Sequence, residues 1–351
     1  MADAYTQVSS LDLSQTAYDR MAYFALRPEL YFDQCADVRP TNQSMNGAIV
    51  QFTIMNDMAI AITPLSETVD VSAVAVSDST IALTLAEYGN AVVTTAKLRG
   101  TSFLDIDPIV ANLVGYNAGV SLDTIARAAL DAGTNVMYAS GLGATALGAV
   151  ASRGAVVAGT TISALDVRVA RTRLRAQNVG TFGGMYVGYV HPDIVADLQG
   201  EMGISLNTLG WRAPHVYSSP EEIWAGEMGA FEGVRFIETP RAPVFQGAGS
   251  ASAVNVYGTI VLGRQSLAKA HSISDGNGPV PHIIPGPITD HLRRLVPLGW
   301  YWLGAYKVFR QAAIIRIESS SLLGSDISLT VGTGTAYEPA IDLGEAGTPL
   351  A

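Results

Sequence analysis

From Gly47 the chain takes up a period of two. Val50, Phe52 and Ile54 alternate with Gln51 and Thr53, the pattern of a strand with one covered face. A polar connection with Pro64, Ser66, Glu67 and Asp70 follows. A second alternating run then passes through Val74, Val76, Ile81, Leu83 and Leu85 to Tyr88-Gly89-Asn90. The two runs predict a long two-stranded ribbon. A ribbon by itself is at best marginally stable in water, so this one must lie on its own domain or on a neighbouring chain.

Composition adds to that requirement. The 351 residues carry 15% charged side chains, against about 25% in an average soluble domain, and mean hydropathy is +0.26. Polar surface is scarce, so a membrane or partner subunits must cover the difference. A spanning helix needs about 20 consecutive apolar residues. The uncharged runs 242–263 and 134–152 are interrupted by Pro243, Gln246, Asn255 and by Gly141, Gly143, Asn135. Neither suits hydrocarbon, and the first residues lack the basic and apolar regions of a signal peptide. The reading is therefore no membrane, and burial completed by self-assembly. Cys35, the single cysteine, has no partner for an internal disulfide and fits synthesis in a reducing cytoplasm. A net charge of −10 excludes polyanion binding as the main role.

Two helices are well marked. Asp107 as N-cap and Pro108 at the first position start one that continues through Ile109, Leu113, Tyr116, Val120, Leu122, Ile125 and Leu130 to a stop at Gly133. It would be about 37 Å long. Gly115 and Gly119 inside it mark close packing or a break. Ser163, with Asp166 three residues on, starts the second helix. Val167, Ala170 and Leu174 line its apolar face, and Arg168, Arg171 and Arg175 another, with Arg173 beside them. That basic stripe reads as solvated or as paired with acids of a neighbouring subunit, ahead of nucleic acid, because no aromatic residue is interleaved. Strands are expected at 185–190, 234–237, 254–262 and 312–317, short helices at 14–25 and from Asp193 to Leu198, and an alternating piece at 327–331. Segments of this kind without regular βαβ order make an α+β fold.

Signatures of chemistry are absent. Gly141-Leu142-Gly143 lacks the third glycine of a dinucleotide loop, and no G-x-S-x-G run occurs. None of His191, His215, His271, His282 and His291 stands three or four residues from another. The expectation is no catalytic residue, no metal and no cofactor, and a protein that is not an enzyme.

A resemblance builds up along the chain. Tyr31-Phe32-Asp33-Gln34 precedes Gly47-Ala48-Ile49-Val50-Gln51-Phe52, and Thr63-Pro64-Leu65-Ser66-Glu67 precedes Ile81-Ala82-Leu83-Thr84-Leu85 and Tyr88-Gly89-Asn90. Ser121-Leu122-Asp123, Gly133-Thr134-Asn135 and Tyr189-Val190-His191-Pro192 follow. Gly226-Glu227-Met228-Gly229, Gly233-Val234-Arg235-Phe236-Ile237-Glu238-Thr239, Val256-Tyr257-Gly258-Thr259, Leu298-Gly299-Trp300 and Ile314-Ile315-Arg316-Ile317-Glu318 complete the order. The chain resembles tailed-phage major capsid proteins of the Hong Kong 97-like fold, in the subgroup typified by the N-four-like phages. It departs where Asp290-His291-Leu292 stands for an expected Asp-Pro-Leu.

The resemblance implies an N-terminal arm (1–45), an extended loop (46–98), a peripheral domain on the long helix (99–184), an axial domain (185–285), a return to the peripheral domain (286–320) and a C-terminal tail (321–351). It implies self-assembly into hexamers and pentamers of an icosahedral virion shell, put together in the host cytoplasm around double-stranded DNA. A portal protein, and scaffolding or decoration proteins, would be further partners. Expected subunit contacts are Phe52, Ile54, Val74, Val76, Leu83, Arg168, Arg171 and Arg175. Alternatives are an encapsulin-like shell around cargo protein and a soluble oligomeric α+β enzyme. The three lysines, Lys97, Lys269 and Lys307, all lie away from the ribbon's turn, so no lysine–asparagine cross-link is expected.

Overall fold

The computed structural model describes residues 31–323, except 42–48, 56–57, 63, 66, 69, 72, 103–105, 142–143, 145–146, 149, 205–225, 251–253, 273–278, 286–289, 291 and 293. The helix expected at 14–25 and the alternating piece at 327–331 lie outside the described residues.

A 3-10 turn at Phe32–Cys35 leads into β1 (Ala36–Thr41), and the ribbon follows as β2 (Ile49–Met55) and β3 (Asp78–Thr84). Next come β4 (Ala86–Thr95), α1 (Ala96–Thr101), α2 (Ile106–Asp131), β5 (Val136–Tyr138), α3 (Ala164–Ala176), β6 (Tyr186–Val190) and α4 (Pro192–Ile204). The rest is β7 (Glu227–Phe231), β8 (Val234–Glu238), β9 (Val244–Phe245), β10 (Val256–Leu262), β11 (Leu267–Ser272), β12 (His282–Pro285), β13 (Leu295–Val308) and β14 (Ile314–Ser319). Two compact units result. Their described parts are 31–88, 119–281 and 302–323 for the larger, and 89–118 and 282–301 for the smaller.

The larger unit is built on a seven-stranded sheet in the order β5-β14-β10-β6-β8-β7, with β9 beside β10. β14 is parallel to β5 and antiparallel to β10, and β6 is parallel to β8. Every residue of β6, β10 and β14 is buried; β6 and β10 carry no charged side chain, whereas β14 buries Arg316 and Glu318, which pair at 2.9 Å. Val167, Ala170 and Leu174 of α3 and Ile194 and Leu198 of α4 share one core with Val190, Phe236, Val261 and Ile317. The capping box is formed as expected: Ser163 Oγ accepts from the Asp166 backbone N–H, and the Asp166 carboxylate accepts from the Ser163 N–H. The β7–β8 turn is Glu232-Gly233, both at positive φ (50° and 78°), the geometry that matches strand twist in a two-residue hairpin. Apart from this sheet, β1 runs parallel to β11, and β11 antiparallel to residues 304–308 of β13.

In the smaller unit β12 pairs antiparallel with residues 298–301 of β13. Trp300 Nε1 donates to Asn117 Oδ1 at 2.9 Å, and the Ala96 N–H to the Arg294 carbonyl at 2.7 Å. Gly89 is required here, because a Cβ would stand 2.7 Å from the Trp300 carbonyl oxygen.

Three expectations need correction. α2 starts one residue before Asp107 and runs 26 residues, about 39 Å, without a break. Asp107 sits in its first turn and pairs with Arg99 at 2.9 Å. A Cβ at Gly115 would meet nothing within 4 Å, so that glycine marks no close packing within the chain. Pro192 opens α4 and Asp193 lies in its first turn, and the helix passes beyond Leu198 to Ile204. Residues 73–77, with Val74 and Val76, are not strand: β3 begins at Asp78. The 185–285 segment supplies β6 to β10 of the seven-stranded sheet. β5, α3 and β14 join it from either side in sequence, while β11 leaves it for the other sheet. Long-range pairing, which local periodicity does not encode, decides these boundaries.

Candidate subunit interface

The ribbon is held at its base and bare at its far end. In register, Ile49 faces Thr84 and Met55 faces Asp78. Phe52 and Leu83 are each 1% exposed and pack on Ala268, Ala270, Ala305 and Phe309 of the same chain. The Phe52 and Phe309 rings meet edge-on at 5.7 Å, and Lys307 Nζ donates to the Ala82 carbonyl at 3.0 Å. Beyond this base the aliphatics point to solvent. Ile60 and Ile62 are 86% and 85% exposed, and Met55, Met58, Leu65, Val71, Val74 and Val76 are each more than half exposed. Glu67, Asp70 and Asp78 are exposed among them. A stretch with this much bare apolar surface marks an interaction site.

The start of the described chain is anchored more deeply. Asp123 Oδ1 accepts the backbone N–H groups of Tyr31 and Phe32, both at 3.0 Å, and its Oδ2 accepts from Arg241 Nε at 2.9 Å. Arg241, 1% exposed, also donates to Thr124 Oγ1 at 2.6 Å and to the Val120 carbonyl. Both charges are buried and each is hydrogen-bonded, so removing either would leave the other uncompensated, at about 3–5 kcal/mol. The Tyr189 hydroxyl donates to the Tyr31 carbonyl at 2.7 Å and lies 3.3 Å from Cys35 Sγ. Burial pushes the Cys35 thiol up to about 12. Asp33 accepts from Lys269 Nζ at 2.7 Å and from the Tyr306 hydroxyl at 2.8 Å. Lys269 is itself 2% exposed. These bonds hold residues 31–35 on the larger unit.

The expected contact residues separate into groups. Phe52 and Leu83 are covered by the chain's own sheet, so the expectation that they face a neighbour is corrected: side chains buried within one copy have no surface to offer another. Ile54 is half-buried against the same cluster. Val74 and Val76 are exposed. Arg168 and Arg171 pair with Glu232 at 2.9 and 3.4 Å within the chain, and Arg175 is exposed. Sequence reading missed Met55, Met58, Ile60 and Ile62; the last three continue the period of two, but Ala59 and Ala61 between them supply no polar face, and that continued alternation was the available signal. His191, His271 and His282 lie in separate settings, and among the described residues no helix is long and apolar enough to cross a membrane.

Comparison with known proteins completes the picture. The family model for phage capsid proteins matches residues 7–321. The chain belongs to the phage capsid protein family. The capsid of Ralstonia phage GP4 shares its fold at a TM-score of 0.70 and 13% identity, over 91% of this chain and 98% of that one. The cyanophage Pam1 capsid gives 0.64 and 16%, covering 92% and 100%, and the head of Helicobacter pylori bacteriophage KHP40 gives 0.60 and 11%, covering 91% and 98%. Among curated proteins none matches. The α+β reading holds, and the protein is a phage major capsid protein, a structural subunit of the virion shell. Membership of the family implies self-association into capsomers.

Proposed function

We propose that capsomers form by head-to-tail contacts in which the bare end of the ribbon, around Met58–Val76, lies on an adjacent copy, while the segment before residue 31 runs beneath another. The exposed Ile60 and Ile62 carry this reading: aliphatics so open to water are unfavourable until a partner covers them, at about 25 cal/mol per Å² of apolar area removed from water. Repeated heterologous contacts close into rings. Hexamers and pentamers then build the icosahedral shell in the host cytoplasm around double-stranded DNA, with a portal protein and, where present, scaffolding or decoration proteins as further partners.

Electron microscopy of the expressed protein tests this. The wild-type chain should form shells or capsomer rings, and the Ile60→Ser/Ile62→Ser double variant should stay as unassembled subunits with unchanged far-ultraviolet circular dichroism. Shells formed as readily by the double variant would overturn the ribbon contact.

A further inference from the structure

We propose that the C-terminal end of α3 and the two turns beside it form a docking site for a nucleic-acid phosphate backbone. The inference deepens the shell reading above and rests on it.

Four arginines from three segments stand around the turn 177–182, Arg173 and Arg175 on different faces of α3. Arg173 and Arg175 are exposed in the last turn of α3. Arg310, from the β13–β14 connection, donates from Nη2 to the Gln177 carbonyl at 2.9 Å. Arg264, from the β10–β11 turn, donates its backbone N–H to the Gly180 carbonyl at 2.9 Å, and its guanidinium lies 6.0 Å from the centre of the Phe182 ring. A Cβ at Gly180 would stand 3.5 Å from the Arg264 side chain, so this arginine lies against the turn.

Carboxylates are missing from this neighbourhood. Residues 132–136, 177–185, 263–266 and 309–313 contain no Asp or Glu. Glu232 is engaged by Arg168 and Arg171, and Asp131 by Arg316 at 2.7 Å. In a chain of net charge −10 this is a local reversal of sign. The helix dipole favours cations in the last turn of α3, but Arg264 and Arg310 come from other turns, and the dipole gives no reason for them.

The chemistry around the arginines selects the ligand. A cleft beside Arg173 is lined by Arg173, Gln177, Thr134, Asn135 and Gln311 and by four apolar side chains; within it Asn135 Nδ2 donates to the Gln311 carbonyl at 2.8 Å and the Thr134 hydroxyl to Gln311 Oε1. With Asn135 and Thr134 donating to Gln311, the guanidinium groups are the donors this surface offers a ligand, and a guanidinium fork matches phosphate in two parallel hydrogen bonds. The acidic ribbon of a second copy fits less well. Its carboxylates lie among exposed aliphatics, and no large exposed aliphatic stands in the four segments named. With no base-reading element, contact would be independent of sequence, weak in one copy, and repeated over the shell.

The test uses the full-length unassembled subunit and a labelled mixed-sequence duplex of about 30 base pairs, followed by fluorescence anisotropy from about 25 mM to about 200 mM NaCl. Four phosphate contacts predict a slope of log affinity against log salt of about −3.6. Arg173→Gln/Arg175→Gln should bind roughly tenfold or more weakly, with the slope reduced by about 2, while Lys97→Gln binds as wild type. Inorganic polyphosphate should displace the duplex more effectively than poly-glutamate of equal charge. The inference is overturned if the wild type does not bind at low salt, if the double variant binds equally, or if poly-glutamate competes as well as polyphosphate, which would assign the patch to an acidic polypeptide. Shell formation is scored in parallel by electron microscopy: failure of the wild type to form shells counts against the shell reading, whereas shells with unchanged duplex binding in the double variant count against this site alone.

Discussion

A thiol enclosed by protein loses the water that would stabilise its charged form. Cys35 is 2% exposed, and its thiol is held up to about 12. At pH 8 the native subunit should therefore resist iodoacetamide, while the subunit in guanidinium chloride is alkylated fully, as read by intact mass. The same shift fixes a sign. The unfolded thiol ionises from its ordinary range near 9 and the folded one does not until about 12, so this contribution to stability is complete below pH 9 and is lost as pH rises toward 12. Rapid native alkylation at pH 8 would show that the segment at Tyr31–Cys35 opens more readily than its bonds to Asp123 imply. Lys269 and Asp33 illustrate why such residues escape sequence reading. A lysine in the run Leu267-Ala268-Lys269-Ala270-His271-Ser272 looks like the polar face of a half-exposed strand, yet all six residues are buried and the carboxylate that satisfies it lies 236 positions away.

At the level of elements, what was legible is what is decided locally. Ser163 and Asp166 form their capping box because the partners are three residues apart, and β6, β8 and β10 sit where expected because β-branched and aromatic residues dominate each of them. β13 was missed because Pro297, Gly299 and Gly304 read as turn residues. In the structure Gly304 makes room for Trp302, whose ring would stand 2.3 Å from a Cβ there, and Gly299 lets the Asn90 carbonyl approach to 2.9 Å of the same position. The ribbon was expected, but its contact residues were read from alternation alone, which does not tell the buried base at Phe52 and Leu83 from the bare end at Val74 and Val76. The two ends predict opposite phenotypes. Phe52→Ala removes a ring packed between Phe309 and the alanines of β11, and should destabilise the unassembled subunit by about 3–5 kcal/mol in urea unfolding. Ile62→Ser, on the bare end, should change that stability by no more than about 0.5 kcal/mol. Equal effects would mean that the base is not the anchor.

At the scale of the whole molecule, the lysines and the net charge bear on how copies would hold together. Lys269 is buried on Asp33 and Lys307 donates to the Ala82 carbonyl, which leaves two of the three lysines already engaged inside one copy. Boiled virions should accordingly give a single monomer band in denaturing electrophoresis, and a ladder of multimers would refute a purely non-covalent shell. The remaining force between copies is then a balance of apolar burial and charge. Each subunit carries a net −10, and residues 49–96 hold five carboxylates with no lysine or arginine. Placing such ribbons around a closed ring brings like charges together. Repulsion between exposed charges reaches about 30 Å at 0.01 M salt and about 8 Å at 0.15 M. Apolar burial at the ribbon end changes little over this range, so added salt removes the opposing term and leaves the favourable one. Assembly yield, measured by light scattering and by sedimentation, should rise from about 0.01 M to about 0.15 M NaCl. A yield that is flat or falls over that range would mean that attraction between unlike charges, and not the aliphatic end of the ribbon, holds the capsomer together.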